Sequence, residues 1–368
     1  MIYLDHAATT APEPSVIDAV TDCMRNLTAN PSASYSVSGP CRKKINDVKQ
    51  IIAETIGAKP QEIFFTSGGS ESNNWALKQA AGKHVIIGAS EHKSVLTAAK
   101  IMGCEISLVR PERNGVISPN LLLKAIRPDT KLISIQFVNN ETGAIGPITK
   151  IGEIATEMKV PFHCDAVAGY GHVPISVSES HISYLSVSAH KLYGPRGIGF
   201  LYIKQGIATT PLISGGDQEN GRRGGTENLP GICGLCEAVK LSFTDQEAEI
   251  NRLWALRKRF LSILAVKAPR IRETITGDLI YPGIISLILP GFASEKMITL
   301  LDMKGIFVSG GAACNSTSHS PSHVLVSMGL TPKEANEVIR VSMGRNTTQI
   351  EIETAAEAIA GLYSNPTI

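Results

Sequence analysis

No apolar run in this chain of 368 residues is as long as a membrane-spanning helix. The best candidate, Gly283 to Leu289, is strand-sized and stops at Pro290, so no membrane partner is expected. A surplus of one charge is missing too. Lys and Arg number 35 against 33 Asp and Glu, interspersed to a formal net charge of +2, and no basic patch points to nucleic acid. The seven cysteines are odd in number and scattered, unlike the dense, even set of a secreted disulfide framework. The start, Met1-Ile2-Tyr3-Leu4-Asp5, shows no basic secretory n-region, so cytoplasm is the expected compartment. The glycine turn at Ser67-Gly68-Gly69-Ser70 lacks the Gly-Lys-Ser/Thr of a nucleotide P-loop. Cys233-Gly234-Leu235-Cys236 has no second C-x-x-C pair and runs into the helical pattern of Glu237 to Leu241. It reads as two ordinary helix residues, and no metal site is expected.

What is present is a 43% hydrophobic chain, enough for a substantial core, with no internal repeat. Helical and strand patterns alternate from about residue 12 to 205. Helices are predicted after Pro12-Glu13-Pro14 and Gly39-Pro40. Strands are predicted at 62–66, 84–87, 105–109, 132–138, 161–164, 184–187 and 199–203. This is the pattern of an α/β fold with a mostly parallel sheet flanked by helices. Beyond Gly225-Thr226 it changes to a long charged helix from Gln246 to about Val266, then a Pro- and Gly-rich α+β region. The expected organisation is a large domain over 11–245 and a smaller one over 246–368 joined by 1–10.

Ligands of such sheets sit beyond the carboxyl ends of the strands. Four motifs fall there: Ser67-Gly68-Gly69-Ser70, Asn139-Asn140-Glu141, Asp165-Ala166 and Ser188-Ala189-His190-Lys191. A lysine at a strand end can form a Schiff base with a cofactor aldehyde, although most lysines are solvated surface charges. A buried carboxylate such as Asp165 can keep a pyridine nitrogen protonated, though an isolated Asp is more often an Asx turn or cap. The free N–H groups of a helix starting at Gly69 and Ser70 suit a phosphate. His92 is a candidate for proton transfer over a ring. Arg222 and Arg223 lie in a glycine-rich loop suited to reaching a phosphate. Arg340, among apolar neighbours, calls for a carboxylate partner from protein or substrate. Cys314 stands among Gly, Ser and Asn instead of aliphatic residues, the setting of a reactive thiol. His319 and His323 beside it lack a fourth ligand at zinc spacing.

Taken in order, these segments resemble the NifS/IscS-type cysteine desulfurases, fold-type I pyridoxal phosphate enzymes of the class V aminotransferase group. The resemblance rests on Tyr3 to Thr10, Thr66-Ser67-Gly68, Glu91-His92-Lys93, Val138 to Glu141, Ser188 to Lys191, Gly225-Thr226 and Arg340 to Arg345. It implies pyridoxal 5'-phosphate held by Lys191, with Asp165 at the pyridine nitrogen and His92 stacked on the ring. Gly69, Ser70, Ser188 and His190 would hold the phosphate. Thr226 would reach it from a neighbouring subunit, implying a homodimer. Asn140 and Arg340 would grip the carboxylate of L-cysteine. Lys191 would take the α-proton, and Cys314 would accept the sulfur as a persulfide for a sulfur-acceptor protein, in iron–sulfur cluster assembly or thiolation. The long segment around Cys314 resembles the subgroup with an extended cysteine loop. Selenocysteine lyases, and other aminotransferases or β-eliminating enzymes, share nearly this site. One position departs from the family: Ala168 stands where a Gln usually reaches the cofactor's phenolic oxygen.

Overall fold

A computed structural model describes residues 1–310 and 320–365. Its centre is a seven-stranded sheet. In spatial order the strands are Ile63–Thr66, Gly199–Ile203, Tyr184–Ser188, Phe162–Asp165, Thr130–Ser134, His84–Gly88 and Glu105–Val109. The last five run parallel to one another. Gly199–Ile203 is antiparallel to both of its neighbours. Two reversals restore direction, so Ile63–Thr66 points the same way as the parallel strands and its carboxyl end opens on the same edge. This registers the glycine turn after Thr66 with the ends of Asp165 and Ser188.

Alternation along each strand sorts its side chains onto two faces. Phe64, Val85, Ile87, Leu132, Tyr184, Leu201 and Ile203 join Trp75, Leu77 and Val95 on one face. Their sequence neighbours Ile63, Phe65, Ile86, Ile133, Leu185, Val187, Phe200 and Tyr202 face the larger core on the other. Helices therefore cover both sides, as parallel strands buried on both faces require. The strand expected over 132–138 instead ends at Ser134. Beyond it, Asn139 Oδ1 accepts from the backbone N–H groups of Glu141 (3.0 Å) and Thr142 (2.9 Å), an Asx turn that takes the chain away from the sheet.

A second, antiparallel sheet orders Ser309–Gly310, Val338–Ser342, Ile284–Ile288 and Arg272–Glu273. The helices Gln246–Lys267 and Gln349–Ser364 pack on each other beside it. The first residues of the chain belong here as well: Ile2–Tyr3 pairs in parallel with Ile306–Phe307, and Asp5 bridges to Ser342. Cys233 and Cys236 are buried in the helix Leu229–Thr244. Among the described residues no helix is long and apolar enough to cross a membrane, and no cluster of His, Cys, Asp and Glu is grouped to hold a metal ion.

Candidate active site

A cavity of about 320 Å³ lies at the carboxyl edge of the parallel strands. Of the residues singled out from sequence, Gly69, Ser70, His92, Asn140, Asp165, Ser188, His190, Lys191 and Arg340 all line it. Thr226 does not; it is exposed in the loop before Leu229. Cys314 and His319 lie outside the described residues.

Lys191 ends a short 3₁₀ turn after the strand Tyr184–Ser188. Its Nζ donates to the carbonyls of Ala7 (2.6 Å) and Ala8 (2.8 Å) across the cavity. Asp165 is the last residue of its strand and is buried. One carboxylate oxygen accepts from the Val167 N–H (3.0 Å) and the other from Asn73 Nδ2 (2.7 Å). Asn73 also donates to Ser94 Oγ (2.9 Å), and Ser94 Oγ is 2.8 Å from His92 Nδ1. His92 caps the helix Lys93–Ile101, its Nδ1 accepting from the Ser94 N–H (3.2 Å). A ring nitrogen that accepts carries no proton, so the imidazole proton sits on Nε2. Asn73 and Ser94 were not foreseen from sequence. The signal was there, because Asn73 follows Gly69 by four residues on the same helical face.

The anion end is built from close backbone approach. Gly68 (φ +144°) precedes the helix Gly69–Lys78 in a conformation that side chains disfavour. A Cβ on Gly69 would stand 2.5 Å from Val167 Cγ2. The opening beside them is lined by Thr9, Ser67, Ser70, Ser188, His190 and Arg196. Burial, with Lys191 and Arg196 nearby, pushes His190 down to about 4, so its ring is neutral. Arg223 does not reach this opening: its guanidinium pairs with Glu71 (Nε to Oε1 2.9 Å), and Arg222 sits over the Phe64 ring. Beneath the site, His163 bridges Ser134 and Ser186, and burial drives it to about 4.

Arg340 supplies the opposite wall. It is 1% exposed, and Nη1 donates to the Asn140 carbonyl (2.8 Å) and Nη2 to Asp5 Oδ1 (2.7 Å). Its carboxylate partner in the protein is thus Asp5. Next to Asn140, Glu141 accepts from the Ser322 hydroxyl (2.5 Å), and burial raises it to about 7. His323 Nε2 is 2.9 Å from the Glu91 carbonyl. Ala168 lines both the main cavity and a smaller one of about 30 Å³ behind Lys191.

A phosphorylated pyridine aldehyde fits this donor set. An amine, a buried carboxylate and a helix N-terminus cradled by Gly68 and Gly69 share one cavity, and a Cβ at Gly69 would close the cradle. The aminotransferase class-V family profile matches residues 2–354. The chain is 40% identical over 367 residues to cysteine desulfurase IscS of Methanosarcina thermophila, covering 97% of this chain and 91% of that one. Among solved structures it resembles a NifS-like protein with a TM-score of 0.92 at 30% identity, covering 99% of both chains. It also resembles SspA in complex with cysteine, with a TM-score of 0.82 at 35% identity over 93% of this chain and 99% of that one. The family implies pyridoxal phosphate, which the cavity accommodates. On matched sequence and shared fold alike, the chain belongs to the aminotransferase class-V family and, within it, to the NifS/IscS-type cysteine desulfurases.

Proposed function

We propose that this protein is a pyridoxal-phosphate-dependent cysteine desulfurase that converts L-cysteine to L-alanine and carries the sulfur as a persulfide on Cys314. The observation that carries the reading is a single cavity in which Lys191 and Asp165 face Arg340. Bound there, pyridoxal phosphate supplies an electron sink for the pair released when the substrate Cα–H bond breaks.

The chain's own residues do the rest. Lys191 would hold the cofactor through its aldehyde, and its Nζ, when free, would take the α-proton of the substrate. The Ala7 and Ala8 carbonyls give the freed amine acceptors within its reach. Asp165, fixed by Asn73 and Val167, keeps a proton on the pyridine nitrogen. His92, which lines the same cavity, would lie against the cofactor and move a proton through Nε2. Gly69, Ser70, Ser188 and His190 hold the phosphate, and Thr226 joins them from the second subunit of a homodimer. Arg340 and Asn140 grip the substrate carboxylate. The Cys314 thiolate attacks the substrate sulfur: an S–S bond forms, the Cβ–S bond breaks, and its electron pair stays on carbon to be protonated as alanine forms.

Both stems of the segment bearing Cys314 support this role. Ser309 pairs in register with Arg340, while Ser322 is bonded to Glu141. Cys314 is four residues from Gly310, and four extended residues reach at most about 14 Å from the strand that pairs with Arg340. The pairing of residues 2–3 with 306–307 also supports a second unit formed by 1–10 and 246–368 beside a unit of 11–245. Cytoplasmic residence and a sulfur-acceptor protein, serving iron–sulfur cluster assembly or thiolation, complete the proposal.

The test is mass spectrometry of the Cys314 peptide after brief exposure of the cofactor-loaded protein to L-cysteine without reductant. One added sulfur on Cys314 is the expected result. An unmodified thiol with alanine still forming would replace this reading with a lysine-dependent elimination that does not use the thiol.

A further inference from the structure

Arg340 is a fully buried guanidinium whose donors divide into two groups. Nη1 and Nη2 are occupied by the Asn140 carbonyl and Asp5 Oδ1, whereas Nε is buried without a hydrogen-bond partner among the described residues. A buried charged donor left unpaired is costly unless something arrives to use it. Arg340 lines the active-site cavity, where a substrate carboxylate would meet it, and its occupied Nη groups show what aims the fork.

Asp5 itself is firmly held. Leu4 N donates to Phe307 O (2.9 Å), Ser342 N to Leu4 O (2.8 Å) and Ala7 N to Ser342 Oγ (2.9 Å). The Tyr3 hydroxyl donates to the Asp5 carbonyl (3.1 Å). Arg340 stands on the strand Val338–Ser342, two residues before Ser342, so one short stretch of pairing fixes both partners. A guanidinium on a flexible stem loses rotamer freedom when it binds; a partner that has already frozen it lowers that cost.

We infer that Asp5 is a positioning residue for substrate recognition: its carboxylate locks the Arg340 fork at the cavity wall so that the guanidinium meets the carboxylate of the amino-acid substrate. Asp5 touches neither cofactor nor substrate in this arrangement and acts only through Arg340. The inference rests on the desulfurase reading in one respect, that the Arg340 wall is where the substrate carboxylate binds.

The experiment uses the holoenzyme and two probes that differ only by a carboxylate, L-alanine and ethylamine, each titrated by the change in cofactor absorbance. Asp5→Ala is expected to weaken L-alanine binding roughly tenfold, the scale of losing one charge-assisted contact, and to leave ethylamine binding unchanged. KM for L-cysteine rises by a similar factor while kcat changes less than about threefold. Asp5→Asn, whose amide oxygen still accepts from Nη2, restores most of the L-alanine affinity. Should Asp5→Ala not fold, Asp5→Ser, too short to reach Nη2, takes its place with the same expectations. Equal weakening of both probes, or Asp5→Asn as impaired as Asp5→Ala, would overturn the inference, as would unchanged L-alanine binding. Arg340→Ala in parallel separates the two claims: if it leaves L-alanine binding intact, the placement of the substrate carboxylate fails, and not merely the role of Asp5.

Discussion

The two walls of the active-site cavity are built in different ways. The wall of Gly69, Asp165, Ser188 and Lys191 hangs from the ends of neighbouring parallel strands in one sheet. The opposite wall joins Arg340, from the antiparallel sheet, to Asp5, which is 335 positions away, and to Asn140 on an Asx turn. The first wall is a by-product of sheet topology, since any residue just past a strand end arrives on the same edge. The second exists only because the start of the chain pairs with its last third. On the proposed assignment of the site, cofactor binding would depend on the main sheet, and substrate choice on how the ends of the chain meet.

The largest effect that tests this contrast is at Lys191. Lys191→Ala should lower alanine formation by about 10³-fold or more, the range of a lost general base and covalent anchor, while L-cysteine still binds at the Arg340 wall. Single-turnover alanine assay and cysteine titration measure the two separately, and loss of both together would show that the walls are not independent.

Next is Gly69→Ala, whose added Cβ would meet Val167 Cγ2 at 2.5 Å. Overpacking of this kind costs about 1–3 kcal/mol. It should appear as a tenfold or greater loss of pyridoxal phosphate affinity, with KM for L-cysteine unchanged in protein saturated with cofactor.

The walls should also answer pH in opposite senses. Burial raises Glu141 to about 7 from an ordinary 4.5. The stability it contributes as a neutral acid is complete below pH 4.5 and is lost as pH rises through about 7. His163 and His190 are lowered from 6.5 to about 4, so their contribution is complete above pH 6.5 and is lost as pH falls through about 4. Glu141→Gln should therefore raise Tm at pH 8 but not at pH 4. A Tm difference that is flat across this range would mean that folding leaves the Glu141 pKa unshifted. The smallest effect belongs to Ala168→Gln. It adds one hydrogen bond near the cofactor, worth about 0.5–1.5 kcal/mol, and should shift the pH midpoint of the cofactor absorbance. An unchanged titration would mean that another donor already serves that oxygen.

Most of the first wall was legible in the sequence. Strand runs, glycine turns and the residues that follow them are local signals, and a parallel sheet turns local signals into a common edge. The strand ends at Ser134 instead of Val138. Buried Ile135 and Phe137 still donate backbone N–H groups to His163 and Asp165, and Val138 forms an isolated bridge with Ile145, so the apolar run reads as strand beyond its true end. Asn73 and Ser94 take their roles only in the fold, since a hydrogen bond to Asp165 or His92 is a fact of geometry. Arg223 looked free for an anion until the fold set Glu71 beside it.

By itself, then, the sequence determined the α/β architecture, the lysine, the carboxylate and the glycine cradle, because hydrophobic period and turn chemistry are written in consecutive residues. Only the tertiary structure decided that Asp5 is the partner of Arg340, that the Ala7 and Ala8 carbonyls receive Lys191, and that Glu141 is buried against Ser322. Those contacts join residues far apart in the chain. They follow from the pairing of Ile2–Tyr3 with Ile306–Phe307 and of Ser309 with Arg340, and no short-range pattern encodes which distant strand a segment will join.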